Sequence, residues 1–284
     1  MYELHETIAT KGGVGKSRIA AEAIIVPRLK DKDLVIIDAD SCNADLYQMT
    51  ENYGAKYIFQ QVQITTNKKE DFIIKMMELE SAKVGIYQQG YCDLRYGYDI
   101  VSDNGASGSI DKLKFLFING RALDFLKNNY TIYIDIVASA TSIDSVSRDL
   151  IFVKEFIDYF KKASKNASTE KSINYGKIKV NIWKNEFFGT RFNYFSDGKL
   201  YKLEDFQGFK ALVNEKILHA VYTIRRFDNP DMRDLESEAI KYKKLYIDMA
   251  KVTDPYVHDV ERDLYNTMSN IIVGCVNNPV LYDC

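Results

Sequence analysis

The stretch Lys11-Gly12-Gly13-Val14-Gly15-Lys16-Ser17 has the residue types and spacing of an anion cradle. Glycine tolerates φ > 0 and has no side chain in the way, so three glycines within four positions let successive backbone N–H groups turn inward. A helix beginning near Lys16 adds unpaired donors and the positive end of its dipole. Lys16 then places a full charge on the outer phosphates of a nucleotide, and the Ser17 hydroxyl is placed to ligate Mg²⁺. Carboxylates follow where such chemistry needs them. Asp38 and Asp40 form a D-x-D at the end of the apolar run Leu34–Ala39, and Asp135 closes the run Thr131–Ile136. Ligands of parallel α/β sheets bind beyond the carboxyl ends of the strands, which sets these aspartates beside the loop. An apolar strand ending in aspartate is also the arrangement that holds magnesium in phosphoryl transfer, so Asp135 is expected to be a metal residue.

The elements that must position these groups are readable in outline. Leu4–Thr10 is the expected first strand, although His5 and Glu6 interrupt a run that should be buried on both faces. Ser17 to Lys30 has helical apolar spacing at Ile19, Ala20, Ala23, Ile24 and Val26, and Pro27 should kink or end it. Further strands are expected at Leu34–Ala39, Lys83–Tyr87, Thr131–Ile136, Ile178–Trp183 and Leu218–Ile224. Helices are expected over Glu70–Ala82, Asp111–Asn128, Ile143–Lys162 and Met232–Met249. Asp99–Ile110, rich in Gly, Ser, Asp and Asn, reads as a loop. Strands alternating with helices imply an α/β fold, a mostly parallel central sheet with helices on both faces. With no boundary or repeat visible, the 284 residues read as one domain, 1–284.

Composition excludes several classes. A formal net charge of −2 rules out a uniformly basic surface but not a local patch. No apolar run approaches the roughly 20 residues of a membrane span. Met1–Thr10 lacks the apolar segment of a signal peptide. Cys42, Cys92, Cys275 and Cys284 contain no C-x-x-C pair, which fits reduced thiols in a cytoplasm. No G-x-G-x-x-G follows a strand, so a dinucleotide-binding dehydrogenase is not supported.

The strict pattern G-x-x-x-x-G-K-[ST] fails at one place: Thr10 stands where the first glycine belongs, and Lys11 directly precedes the Gly-Gly pair. The loop thereby resembles the deviant phosphate loop of the ParA/MinD ATPases, and with it the three-layer P-loop NTPase fold. That resemblance implies ATP or ADP with Mg²⁺ bound by residues 11–18, Lys11 through Arg18. It implies that Lys16 holds the phosphates within its own subunit and that Lys11 reaches across a nucleotide-sandwich homodimer. Asp40 would position the attacking water, Asp38 would lie near the magnesium, Asn185 would contact the base, and the loop bearing Pro230 would pack on adenine. Closer matches, Val26-Pro27-Arg28-Leu29, Asn43-Ala44-Asp45 and Asp135-Ile136-x-Ala138-Ser139, are similar to segments of StbB-type plasmid stability ATPases. Val137 departs from the glycine of that pattern.

The resemblance implies a slow, cytoplasmic partition ATPase that works with a DNA-bound adaptor protein. Arg225, Arg226, Arg233, Lys241, Lys243 and Lys244 are the candidates for nonspecific DNA phosphate contacts, a solvated helix face being the alternative. The C-terminal run Ile271–Cys284 lacks a basic amphipathic face, so no membrane contact is expected. The competing function is a nucleotide-gated adaptor that binds a protein partner with little hydrolysis. A bacterial tyrosine kinase of the same superfamily is a third reading, weakened because the tyrosines are scattered.

Overall fold

The structure, a computed structural model, describes residues 2–31, 34–39, 45–51, 53, 99–105, 130–166, 178–196, 198–251 and 259–282. Asp40, the expected helices Glu70–Ala82 and Asp111–Asn128 and the expected strand Lys83–Tyr87 lie outside the described residues.

A seven-stranded sheet forms the centre. Its strands are β1 (Tyr2–Ile8), β2 (Leu34–Ala39), β3 (Asp99–Asn104), β4 (Tyr130–Ser139), β5 (Ile178–Asn185), β8 (Leu218–Ile224) and β9 (Val280–Leu281), in the order β2-β3-β1-β4-β5-β8-β9. All neighbours pair in parallel except β8 and β9. A separate two-stranded ribbon, β6 (Asn193–Ser196) and β7 (Lys199–Lys202), leaves the main chain between β5 and β8. The fold is α/β, as expected.

Strand alternation sends successive side chains to opposite faces, and each face builds its own core. On one, Leu4, Ile8, Ile134, Ile136 and Ile182 pack with Val146, Leu150 and Val153 of α3 (Ile143–Asn166) and with Phe209 and Leu212 of α4 (Gln207–Asn214). On the other, Ala9, Ile36, Val101, Val137 and Trp183 meet the helix that follows the phosphate loop. This second face also carries α2 (Asp45–Thr50), α5 (Pro230–Lys241), α6 (Tyr246–Met249) and α7 (Asp259–Val276).

The loop's helix, α1, changes pitch along its length. It is α-helical over Lys16–Ile19, π-helical over Ala20–Ile25 and 3-10 over Val26–Asp31. Pro27 has no N–H to give and its ring crowds the carbonyl four residues back. The widened turn just before it, where the Val26 N–H reaches the Ala21 carbonyl, relieves that conflict without ending the helix. Ala20, Ala21 and Ala23 are almost wholly buried, so the distorted helix still lies close against its neighbours.

Two expectations need correction. Asp99–Asn104 is not loop but β3, inserted between β1 and β2. Neighbours satisfy part of its buried polarity: Thr7 donates to the Ser102 carbonyl and to Asp103, and Asn104 donates to Glu6. The expected helix Met232–Met249 is two helices, broken by a left-handed residue, Lys243, at φ 49°. The polar residues of β1 have partners: Glu6 takes the Asn104 amide at 2.6 Å, and His5 meets Asp135 at 2.7 Å.

Candidate functional site

The glycine loop joins β1 to α1 at the carboxyl end of the sheet. Gly13 and Gly15 hold φ of 72° and 84°, left-handed values that glycine adopts at no steric cost. Gly15 is doubly required. A Cβ there would collide with the Asn185 amide, which donates to the Val14 carbonyl at 2.9 Å from the end of β5. Asn185 is 1% exposed and also caps the turn after β5 by accepting from the Phe187 N–H. In this structure its side chain supports the loop from beneath. A second support comes from α3, where both Asp149 oxygens lie 3.2 Å from the Thr10 N–H. Burial pushes the Asp149 carboxyl up to about 6.

A cleft of about 420 Å³ opens over the loop. Residues 11–18 line it, facing Asp45 and Met49 of α2, Phe188, and Ile240 and Lys243. Lys11 is exposed at the rim, its Nζ 3.3 Å from the Thr141 carbonyl. Lys16 is 7% exposed and forms an ion pair with Asp103 at the end of β3. Ser17 lines the cleft beside it. Arg18, also in the lining, donates to the Lys244 carbonyl at 2.6 Å and lies 4.3 Å from the centre of the Tyr246 ring.

The carboxylate that pairs with the loop lysine is Asp103, in the stretch that reads as loop in the sequence. Asp38, Asp103, Thr7, Asp135 and Asn181 stand in register across five neighbouring strands and share one face of the sheet. Asp135 is the fourth in that row, and β4 continues past it to Ser139. Both its oxygens are taken inside the core: Oδ1 by Trp183 Nε1 at 2.8 Å and Asn181 Nδ2 at 2.9 Å, Oδ2 by His5 Nδ1 at 2.7 Å. Burial opposes a charge on His5, but the adjacent Asp135 carboxylate outweighs it and raises the imidazole pKa. Asp135 thus anchors a buried polar network. Asp103 is different. Its Oδ1 receives Thr7 and Lys16, while its Oδ2 is buried with no hydrogen-bond partner among the described residues. An orphaned carboxylate oxygen beside the loop lysine is what a magnesium-holding residue needs, so the residues present fit that ion.

Asp38 is 2% exposed and accepts the Tyr47 N–H at 2.9 Å, tying β2 to the first turn of α2. Pro230 is the exposed first residue of α5, outside the cleft lining, with Asn229 capping the helix through the Asp231 N–H. Arg225, Arg226, Lys241 and Lys244 are exposed and Arg233 is half-buried, whereas Lys243 turns to Asp45 at 2.8 Å. Among the described residues no helix is long and apolar enough to cross a membrane.

No protein-family profile matches the sequence, and no curated protein matches it. Solved structures are similar to it only at low scores. Chloroplast FtsY from Physcomitrella patens is 12% identical at a TM-score of 0.38, covering 86% of this chain, which spans 65% of FtsY. The MinC:MinD cell division protein complex of Aquifex aeolicus is 12% identical at a TM-score of 0.41, covering 98% of this chain and 97% of its own. A plasmid partition protein from Borrelia burgdorferi bound to AMPPNP is 15% identical at 0.33, covering 96% and 98%. At these identities and scores the likeness carries no argument about what this chain does.

Proposed function

We propose that this chain is a Mg²⁺-dependent ATPase of the partition and positioning type, switched between subunit states by ATP. The observation that carries the reading is the junction of β1, β3 and α1: a glycine loop with two left-handed residues, Lys16 at its base, and beside that lysine Asp103 with an oxygen that has no hydrogen-bond partner among the described residues. Phosphoryl transfer asks little covalent chemistry of a protein, so positioned charge suffices. Lys16 neutralises the outer phosphates once they draw it from Asp103. Ser17 and Asp103 would hold magnesium, which spreads the developing negative charge. Asp38 fixes the β2 end, and Asp40, two residues on, keeps its proposed role of orienting the attacking water. Lys11, exposed and held among the described residues by a carbonyl at 3.3 Å, has the freedom to reach a second subunit. The StbB-like segments favour a plasmid stability role with a DNA-bound adaptor, and Arg225, Arg226, Arg233, Lys241 and Lys244 remain the proposed DNA phosphate contacts.

Solution mass tests the switch. A monomer with ADP should become a dimer with ATP·Mg²⁺ in the parent and in Asp40→Ala, but not in Lys16→Ala. A mass indifferent to nucleotide would remove the role of Lys11 across an interface and favour the adaptor reading.

A further inference from the structure

The turn that ends α5 carries a lysine where the backbone favours glycine. The Lys243 N–H bonds the Ile240 carbonyl and the Lys244 N–H bonds the Ala239 carbonyl, at 3.1 and 3.0 Å, which is the double closure of a left-handed helix stop. Glycine usually fills that position because it bears no Cβ penalty. Here it is Lys243, at φ 49°. The same motif ends α4, with Lys216 at φ 56° and bonds from Lys216 to Val213 and from Ile217 to Leu212. The two turns differ in what the side chain meets. Lys216 is exposed and lies outside the cleft lining, whereas Lys243 lines the cleft over the phosphate loop.

Two tethers hold Lys243 there. Arg18, the residue after Ser17, donates to the neighbouring Lys244 carbonyl at 2.6 Å and so ties the turn to the loop's own helix. Asp45 of α2, also in the cleft lining, pairs with the Lys243 ammonium at 2.8 Å. A cation is thus presented to the loop from across the cleft, on a turn fixed to that loop.

We propose that Lys243 is a nucleotide-binding residue, a second lysine of the same subunit that moves from Asp45 to the polyphosphate when nucleotide enters. This rests on the reading of the cleft as an ATP site and adds a contact from outside the glycine loop. The left-handed backbone fixes the direction in which the side chain leaves the turn, and Asp45 keeps the ammonium compensated while the cleft holds no anion.

Calorimetric titration with ADP and with AMPPNP, each with Mg²⁺, tests this in the parent, Lys243→Gly, Lys243→Arg, Lys216→Gly and Lys16→Ala. Lys243→Gly should weaken binding about tenfold, the scale of one charge-assisted hydrogen bond, without lowering the melting temperature. Lys243→Arg should keep most of the affinity. Lys216→Gly, the same change in the same motif away from the cleft, should leave affinity unchanged. Unchanged affinity in Lys243→Gly, beside loss of binding in Lys16→Ala, overturns the proposal and leaves the ATP site standing. Equal weakening in both glycine variants, or weakening that follows a lowered melting temperature, also overturns it, since a merely structural turn would do the same. A folded parent that binds neither nucleotide overturns the ATP reading as well.

Discussion

Replacing Asp103 or Asp135 with asparagine separates the two carboxylates that stand in one row of the sheet. Asp103→Asn strips the only ion pair among the described residues from a lysine that is 7% exposed. Breaking a buried pair by removing one partner costs about 3 kcal/mol or more, because the remaining charge stays buried. Asp135→Asn keeps an acceptor for Trp183 and Asn181 but sets an amide against His5. Weakened hydrogen bonds to a formerly charged group put its cost at about 2 kcal/mol. Stability alone therefore distinguishes them poorly, and the decisive readout is nucleotide. Phosphates entering the cleft give Lys16 a new partner, so ligand should restore more stability to Asp103→Asn than to the parent. The metal dependence should divide the two fully. In thermal denaturation with ADP, with and without Mg²⁺, the parent and Asp135→Asn should gain further stability from the metal, and Asp103→Asn should not. Mg²⁺ dependence that survives in Asp103→Asn and vanishes in Asp135→Asn would refute the assignment and return the metal role to β4.

Three further outcomes follow from the geometry. Gly13→Ala has nothing within 4 Å of its new Cβ and should cost only the left-handed penalty, about 1 kcal/mol, whereas Gly15→Ala must also push Asn185 off the Val14 carbonyl and should cost about 2 kcal/mol with a marked loss of nucleotide affinity; equal costs in chemical denaturation would contradict the buttress. Burial pushes Glu22 up to about 7 despite Arg18 and the Tyr246 N–H, so the folded state holds its proton where the unfolded chain has lost it, and stability should fall by about 3 kcal/mol as pH rises from 4.5 to 7; a Glu22→Gln variant whose pH profile still shows that fall would place the cause elsewhere. Removing charge at Arg225, Arg226 and Lys244 should weaken DNA binding of the ATP-loaded protein and lower its salt dependence, and unchanged filter binding at several salt concentrations would discard the patch.

The parts legible in the sequence are those where one strong local signal decides the structure. The glycine loop, the apolar run Leu34–Ala39 and the long amphipathic helix from Ile143 all formed where periodicity and composition put them. Strand β3 was illegible because its polarity is satisfied only by residues far along the chain: Thr7 and Glu6 reach Asp103 and Asn104 across a strand pairing that no local window contains. A signal was nonetheless present, since Ile100-Val101 followed by an aspartate and then Gly105 repeats in miniature the apolar run that ends at Asp38. The setting of Asp135 was hidden for the converse reason. A carboxylate in an apolar run reads as a strand end, yet Trp183, Asn181 and His5 together make it a core residue. The helix break at Lys243 was hidden because a lysine occupies the place where glycine would have announced it.

The most direct test of the account is phosphate release from ATP·Mg²⁺ by the purified chain, measured over a long time course beside Lys16→Ala at matched fold and concentration. The account predicts slow, Mg²⁺-dependent release from the parent that is lost in Lys16→Ala. Release that is equal in both proteins, or absent from a parent that is folded and saturated with ATP, would contradict the claim that this loop, Lys16 and Asp103 form an ATPase site.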